Sequence, residues 1–291
     1  MVLIIFNRPD LLRRVFAAVR AYRPKHLYVI GDGPRSGQIE DNDLVQASRA
    51  EVVNDWGAEL TLDYAETNLG CQQRIFTGLN EVFKRYERAI ILEDDCLPHP
   101  DFFHYAETML EHYSDRPEIM HIAGTNFIDP GFFSGDYALT YHPTPWGWAT
   151  WRRAWSKIDL QMDAYFSRPE SMRERLKIGR RSWSKLFKRL GKVRSGEIES
   201  WAYPWLASCL ANGGLTVNPR SNLVSNIGFD SRSTHTSNPS SCFSSRPLKA
   251  LRNVQPKEHS KLERQANREV FYMFFGGGHR KRGRLRDRFG L

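Results

Sequence analysis

The chain has 291 residues and a mass of 33.8 kDa. At ~100 to 200 residues per domain this fits one large domain or two small ones, and neither a repeat solenoid nor a short disulfide scaffold. Hydrophobic residues make up 41% and aromatics 12%, with eight Trp, which supplies a sizeable core and excludes disorder throughout. The net charge of +9 is local: residues 172–194 hold ten Lys/Arg against one acid, residues 280–288 hold six against one, and the rest is mildly acidic. That placement speaks against a nucleic-acid-binding surface spread over the fold.

The longest apolar runs, Val2 to Phe6 and Ala89 to Leu92, fall far short of the ~20 residues a spanning helix needs. No charged, apolar and small-residue leader precedes them, so the expectation is a cytoplasmic chain, with a peripheral place on the inner face of the membrane as the variant. Cys71, Cys96, Cys209 and Cys242 show no C-x-x-C spacing, and reduced thiols are expected rather than a zinc site or a disulfide framework.

In chain order, Val2 to Phe6 reads as a buried strand, and after Asn7-Arg8-Pro9 the residues Leu12, Val15, Phe16 and Val19 recur at helical spacing. His26 to Ile30 is a second strand that ends in the turn signal Gly31-Asp32-Gly33-Pro34, followed by Leu44, Val45, Val52 and Val53 at roughly helical positions. Glu59 to Tyr64 alternates as a strand, and Ile75, Leu79, Val82, Phe83 and Tyr86 give the clearest helix face. Arg88 to Leu92 is a short buried strand that ends in Glu93-Asp94-Asp95. Strand and helix alternating with short connections predict a parallel sheet covered by helices. Ligands of such sheets bind at the carboxyl ends of the strands. Asn7-Arg8, Asp32, Glu66 to Asn68 and Asp94-Asp95 all fall at those ends, so their loops should meet at one crevice.

The run from Gly31 to Gly37 does not have the G-x-G-x-x-G spacing, and no G-x-x-x-x-G-K-[ST] occurs, which argues against dinucleotide and P-loop designs. Adjacent carboxylates at the end of a buried strand repel one another unless a cation lies between them or one is protonated. An oxygen-rich site of this kind suits Mg²⁺ or Mn²⁺; a solvated acidic turn before Pro98 is the alternative.

Together these stretches resemble the GT-A class of nucleotide-sugar glycosyltransferases, family 2-like bacterial proteins similar to the N-acetylglucosaminyltransferase I group. The resemblance covers about residues 1 to 236. It rests on Phe6-Asn7-Arg8-Pro9, Asp32-Gly33-Pro34-Arg35, Asn68-Leu69-Gly70, Ile91 to Asp95, Trp146 to Trp151, Asn222 to Gly228 and Thr234-His235-Thr236. It implies an α/β fold of GT-A type, with a Rossmann-like, mostly parallel sheet flanked by helices, a smaller acceptor-side subregion and a helical C-terminal extension. The implied division is a glycosyltransferase domain over 1–236, with a nucleotide-binding half to residue 95 and an acceptor half from 96, then a linker, helix and basic tail over 237–291.

The resemblance also implies roles. Asp32 contacts the nucleoside, unless it only shapes its turn, and Phe6, Asn7 and Arg8 line the same pocket. Glu66, Asn68 and Gly70 lead into a helix whose free N–H groups, with Arg74, face the diphosphate; ordinary helix capping is the alternative. Asp95 is the direct metal ligand, with Glu93 and Asp94 on ribose hydroxyls or metal-bound water, and His235 is a further metal ligand on a loop that orders when the donor binds. Gly124 and Asn126 contact the transferred sugar. Of Trp146, Trp148 and Trp151, two are expected in the core and one, taken as Trp148, against a sugar ring.

The departure is at the base. The family's Trp-Asp-Tyr-x-Trp stretch reads Trp201-Ala202-Tyr203-Pro204-Trp205, with Ala202 where the proton-accepting aspartate is expected. Either Glu199, one helical turn earlier, substitutes, or the chain is an impaired or base-deleted nucleotide-sugar-binding protein. The expected partners are a nucleoside diphosphate sugar, uridine-linked by preference, and a saccharide or lipid-linked saccharide acceptor, with transfer inverting and no nucleic acid involved. In the basic stretch, Trp183, Leu186, Phe187 and Leu190 share a helix face that either packs on the domain or rests on an anionic membrane. Ser231 to Arg246 reads as a loop, and Lys257 to Phe275 as one helix before Gly276.

Overall fold

A computed structural model describes residues 1–230, 241–251, 254–257 and 261–276. The first half follows the predicted alternation. The strand β1 (Val2–Ile5) is buried along its whole length, as both faces of a parallel sheet require. Helix α1 (Pro9–Tyr22) begins with Pro9, whose fixed φ suits a first turn, and buries Leu11, Leu12, Val15, Phe16 and Val19. Then come β2 (His26–Gly31), α2 (Ile39–Ala50), β3 (Glu59–Tyr64), α3 (Cys71–Arg85) and β4 (Arg88–Glu93). Helix α2 stops at Ala50, so Val52 and Val53 lie beyond it, and Val53 is exposed. Its buried Asp41 instead anchors the preceding loop, accepting from the Arg35 amide and guanidinium and from the Asn7 amide group.

The second half contains β5 (Cys96–Pro98), α4 (Asp101–His112), β6 (Ile119–Ala123), β7 (Tyr137–Thr140) and β8 (Trp148–Trp151). Four helices follow, α5 (Arg152–Trp155), α6 (Asp163–Phe166), α7 (Pro169–Leu176) and α8 (Arg180–Arg194), and then α9 (Ala202–Ala211), β9 (Leu215–Pro219), β10 (Val224–Asn226) and α10 (Arg264–Phe275). The main sheet runs β3-β2-β1-β4-β8-β6-β9-β7. Strands β1 to β4 pair in parallel, as does β6 with β9, whereas β8 runs antiparallel between β4 and β6 and β7 antiparallel on β9. The fold is thus α/β with a mostly parallel sheet flanked by helices.

The predicted helix over 257–275 is shorter than expected, and the reason is pairing. The Lys257 amide donates to the Tyr137 hydroxyl, Leu262 bridges to Leu139, and the Glu263 amide donates to the Leu139 carbonyl. Leu262 and Glu263 thus lie beside β7, and helix α10 starts only at Arg264.

Two of the three grouped tryptophans belong to the core. Trp148 is fully buried, stacked on His121 at 5.1 Å and on Trp201 at 5.3 Å, and Trp151 donates from its indole to the Leu110 carbonyl. Trp148 therefore offers no face to a sugar ring, which corrects the role assigned to it. Trp146 is the half-buried one, packed edge-on against Phe127 and Phe229.

His121 accepts from the Trp205 indole at Nδ1, so its proton sits on Nε2 and is donated to the Thr144 carbonyl. Burial lowers its pKa to about 3, and that of His142 likewise. Both stay neutral when folded but take a proton near pH 6.5 when unfolded, so stability rises with pH between about 3 and 6.5. At ~1.4 kcal/mol per unit, each removes about 2 kcal/mol by pH 5. Urea unfolding between pH 7.5 and 5 should reveal this slope, and His142→Phe, which keeps the stack on Phe274, should take away about half of the histidine part.

Candidate active site

Because β1 lies between β2 and β4 in parallel, with Ile5 opposite Gly31 and Ile4 opposite Glu93, their carboxyl ends share one edge of the sheet. The Phe6 amide donates to the Asp94 carboxylate at 3.0 Å, tying the first two of these ends that matter, β1 and β4. Arg8, only 8% exposed, donates to Asp95 and to the Gly228 carbonyl, both at 3.3 Å, and stands 4.0 Å from Asp230. Strand β10 pairs antiparallel with β5, which sets Asn226 opposite Cys96 and lets its amide group donate to Asp95 at 3.4 Å. A side chain at Gly228 would collide with Asp95 and Arg8, so this closure depends on glycine.

The electrostatics at this edge are lopsided. Burial pushes the Glu93 carboxyl well up, and Asp95 and Asp94 push it further, while Arg8 opposes them. Asp94 is raised to about 7, again by burial first and by Asp95 next. Asp95 is raised by burial, with Arg8 as its main relief. The Cys71 thiol, at the start of α3, is also held up by burial and then by Glu93, Glu199, Asp32 and Asp94. Four carboxylates from three separate parts of the chain therefore act on this one thiol.

Asp32 organises the neighbouring loop. Its carboxylate accepts from the amides of Gly33, Leu69 and Gly70 and from the Asn68 side chain, all between 2.9 and 3.1 Å. Burial raises its pKa, and the three amides lower it. All these bonds are internal, so the turn-forming alternative accounts for Asp32's contacts. Asn68 also donates to the Gly33 carbonyl, and Glu66 is exposed beside it. Gly70 caps α3 with φ at +80°, a conformation that favours glycine.

Glu199 reaches the same place. Helix α9 starts only at Ala202, so Glu199 is not one helical turn earlier on the same helix but in the segment ahead of it. Its Oε1 accepts from the Gln72 amide at 3.2 Å, in the first turn of α3. A carboxylate is thus seated where the diphosphate was expected, as the N-terminal end of a helix favours. Arg74 is directed elsewhere: its buried guanidinium donates to the carbonyls of Gly31 and Asp63 and pairs with the Asp63 carboxylate, fixing α3 on the sheet. This corrects its place on an anion. Asn7 is held by Asp41, and the Arg35 guanidinium lies over the Phe6 ring at 5.5 Å.

Gly124 and Asn126 sit in a packed knot. Gly124 donates to the Gly147 carbonyl and accepts from the Leu223 and Val224 amides; Asn126 bonds Asn222, Arg220 and Ile128. Every one of those partners belongs to the protein itself. His235 lies outside the described residues. Asn226 and Gly228 carry the closure over Asp95, yet the sequence had shown them only as parts of a longer motif. Asp41 gave no sequence signal, because its partners come from two other loops.

The oxygen donors of Glu93, Asp94 and Asp95 are the hard type that Mg²⁺ and Mn²⁺ prefer, and their mutual repulsion is what a divalent cation relieves. Among the described residues no group of three or more His, Cys, Asp or Glu side chains converges as a metal cage. Asp94 turns to the Phe6 amide and Asp95 to Arg8. The donor chemistry of this acidic run fits a hard divalent cation.

No family model matches the chain, and no curated protein matches it. Among solved structures it is similar to the galactosyltransferase LgtC in complex with donor and acceptor sugar analogues, at 12% identity over 74% of this chain and 73% of that one, with a TM-score of 0.39. It is also similar to the mannosyltransferase PcManGT from Pyrobaculum calidifontis in complex with GDP-Man and Mn²⁺, at 14% identity over 73% and 68%, with a TM-score of 0.39. For S. aureus TarS the values are 13%, 55% and 49%, with a TM-score of 0.36, so the chain spans about half of that structure. Likenesses of this size bring no chemistry to this chain.

Asp32→Ala should cost about 3 kcal/mol or more, since it leaves three amides and the Asn68 side chain without their acceptor. Chemical denaturation measures it. A change below about 1 kcal/mol would mean water replaces the carboxylate and the loop is not built on it.

Proposed function

We propose that the protein is a glycosyltransferase that moves a sugar from a nucleoside diphosphate, uridine-linked by preference, to a saccharide or lipid-linked saccharide with inversion. The observation that carries this reading is the meeting of Glu93, Asp94 and Asp95 with Arg8 at the carboxyl edge of β1 and β4, beside the start of α3. A cluster of buried acids with one guanidinium is poorly suited to a bare diphosphate and well suited to a diphosphate that arrives with a divalent cation. The resemblance to GT-A enzymes, including the finer one to the N-acetylglucosaminyltransferase I group, supports the same reading.

In this proposal Asp95 is the metal ligand, with Glu93 and Asp94 beside it, and His235 is a further ligand. Mn²⁺ or Mg²⁺ would supply Lewis-acid neutralisation of the departing diphosphate. Arg8 adds a fixed positive charge beside the phosphates and holds Asp95 in place. Phe6 and Asn7 form the wall of the nucleoside pocket, and Asp32, with Asn68 and Gly70, fixes the loop that faces it. Glu199 takes the acceptor's proton; its Oε2 makes no hydrogen bond among the described residues. For that to happen the carboxylate must turn from the Gln72 amide toward the acceptor hydroxyl. A second reading, a nucleotide-sugar-binding protein without turnover, is favoured by Ala202 at the start of α9, where the base was expected.

A panel of nucleoside diphosphate sugars with Mn²⁺ should contain one that raises the melting temperature by about 5 °C at 100-fold excess over its Kd, and a chelator should remove most of the rise. Asp95→Asn should abolish the manganese-dependent part. A rise indifferent to both would sink the metal site.

Ala202→Asp should increase transfer about 100-fold or more with donor affinity nearly unchanged, and Glu199→Gln should remove the remaining transfer of the parent. Donor binding with no transfer in either background supports the second reading. Full activity in Glu199→Gln excludes this residue as the base.

A further inference from the structure

The turn that carries Arg246 is held beside the acidic edge from two directions. The Ser245 amide donates to the carbonyl of Asn226, the residue whose side chain donates to Asp95. The side chain of Asn222, which accepts from the Asn126 amide, reaches the Arg246 carbonyl at 3.4 Å. Between these bonds Ser245 takes a φ of +44°, a left-handed conformation that strains a residue with a Cβ. Such strain persists where the surroundings over-determine the backbone, and it is concentrated at ligand-holding turns.

The side chain presented by this turn is a cation without a counterion. Arg246 is half-buried, with its guanidinium 5.0 Å from the centre of the Phe127 ring and its Nη1 donating to the Cys242 carbonyl at 3.3 Å. Its Nε is buried with no hydrogen-bond partner, and among the described residues no carboxylate lies within 4.0 Å of it. Burial lowers its pKa, and no acid opposes the shift. Arg8, Arg35 and Arg74 each have an acid beside them. A guanidinium taken out of water is costly unless it is paired, and a ring face relieves only part of that cost. Its planar fork of N–H groups matches the paired oxygens of a phosphate or a carboxylate.

The rings around it narrow the ligand further. Phe127 meets Trp146 at 5.6 Å and Phe243 at 5.1 Å, both edge-on, and Trp146 meets Phe229 at 5.8 Å in the same way. Phe229 follows Gly228, whose carbonyl accepts from Arg8, so this aromatic wall borders the acidic edge. Phe127 and Phe229 are buried, whereas Trp146 and Phe243 are half-buried and keep surface for a ligand. An unpaired cation beside aromatic surface selects a molecule with an oxyanion and a C–H-rich ring face. A bare anion would leave the rings unused, and a neutral sugar would leave the charge unmet.

We propose that Arg246 binds the phosphate or carboxylate of an acidic saccharide whose ring rests on Trp146, which makes the acceptor an anionic sugar. This rests on the glycosyltransferase reading of the crevice. There the donor's diphosphate goes to Arg8 and a divalent cation at Asp95, so the oxyanion at Arg246 belongs to the second substrate.

The test is a saturation-transfer NMR titration of the full chain in Mg²⁺ with methyl glucoside, methyl glucuronide and glucose 6-phosphate. At least one charged sugar should bind about 10-fold or more tighter than the neutral one, the size of a charge-assisted hydrogen bond. Preference for the glucuronide assigns the oxyanion as a carboxylate, and preference for the sugar phosphate assigns it as a phosphate. Arg246→Gln should erase the preference without lowering the melting temperature, because it removes a half-buried charge that lacks an acid. Trp146→Ala should weaken charged and neutral sugars alike. Equal binding of all three sugars, or a preference that survives Arg246→Gln, overturns the inference. So does a lowered melting temperature in Arg246→Gln with sugar binding unchanged, the mark of a purely structural arginine. Donor-induced melting shifts keep the two questions apart: they should be the same in Arg246→Gln as in the parent, and a loss confined to the variant would move Arg246 to the donor and overturn the acceptor assignment. If the parent itself shows no donor-induced shift, the transferase reading fails and the acceptor assignment fails with it.

Discussion

The arrangement turns on negative charge concentrated where β4 ends. Three successive carboxylates leave a strand whose interior is fully buried, and each raises the free energy of the others in a place that water screens poorly. The protein meets this locally. Asp94 receives the amide of Phe6 from the adjacent strand, and Asp95 receives a guanidinium and an amide group from two further segments. Those contacts place residues from the first ten, from 93–95 and from 226–228 around one point. They offset the charge only in part, since all three groups remain raised.

The second organiser is also a carboxylate, with the opposite relation to its surroundings. Asp32 is surrounded by donors that stay within the protein, so it binds the turn after β2 to the turn before α3. One side of the crevice is thereby rigid and satisfied, and the other is crowded and unsatisfied. The raised carboxyls of Glu93 and Asp94 lie on the second.

Much of this was legible in the chain. Apolar runs and helical spacing located β1 to β4 with their helices, and the same alternation put the carboxyl ends of β1, β2 and β4 on one edge of the sheet. Individual side chains were less legible, because a residue's partners lie far away in sequence. Arg74 looked like an anion ligand from its place one turn into a helix, but Asp63 and the Gly31 carbonyl take it. Trp148 looked like a sugar platform, but the antiparallel position of β8 puts it between two sheet neighbours. That position could not be read from Trp146 to Trp151 alone, since strand order is a property of the whole sheet. Glu199 was placed on a helix that begins only after it, and α10 was extended into residues that pair with β7.

The insertion of β8 also decides how the two halves depend on each other. β4 hydrogen-bonds on one side to β1 and on the other to a strand that lies some sixty residues further along the chain, and that strand alone joins it to β6. Until Trp148–Trp151 has been synthesised and has slotted in, the growing polypeptide carries a bare apolar margin along β4, the type of border that recruits stray strands. The segment up to the acidic turn is therefore no free-standing module: severing the gene product after that turn would leave that margin without its mate, and self-association is the foreseeable fate.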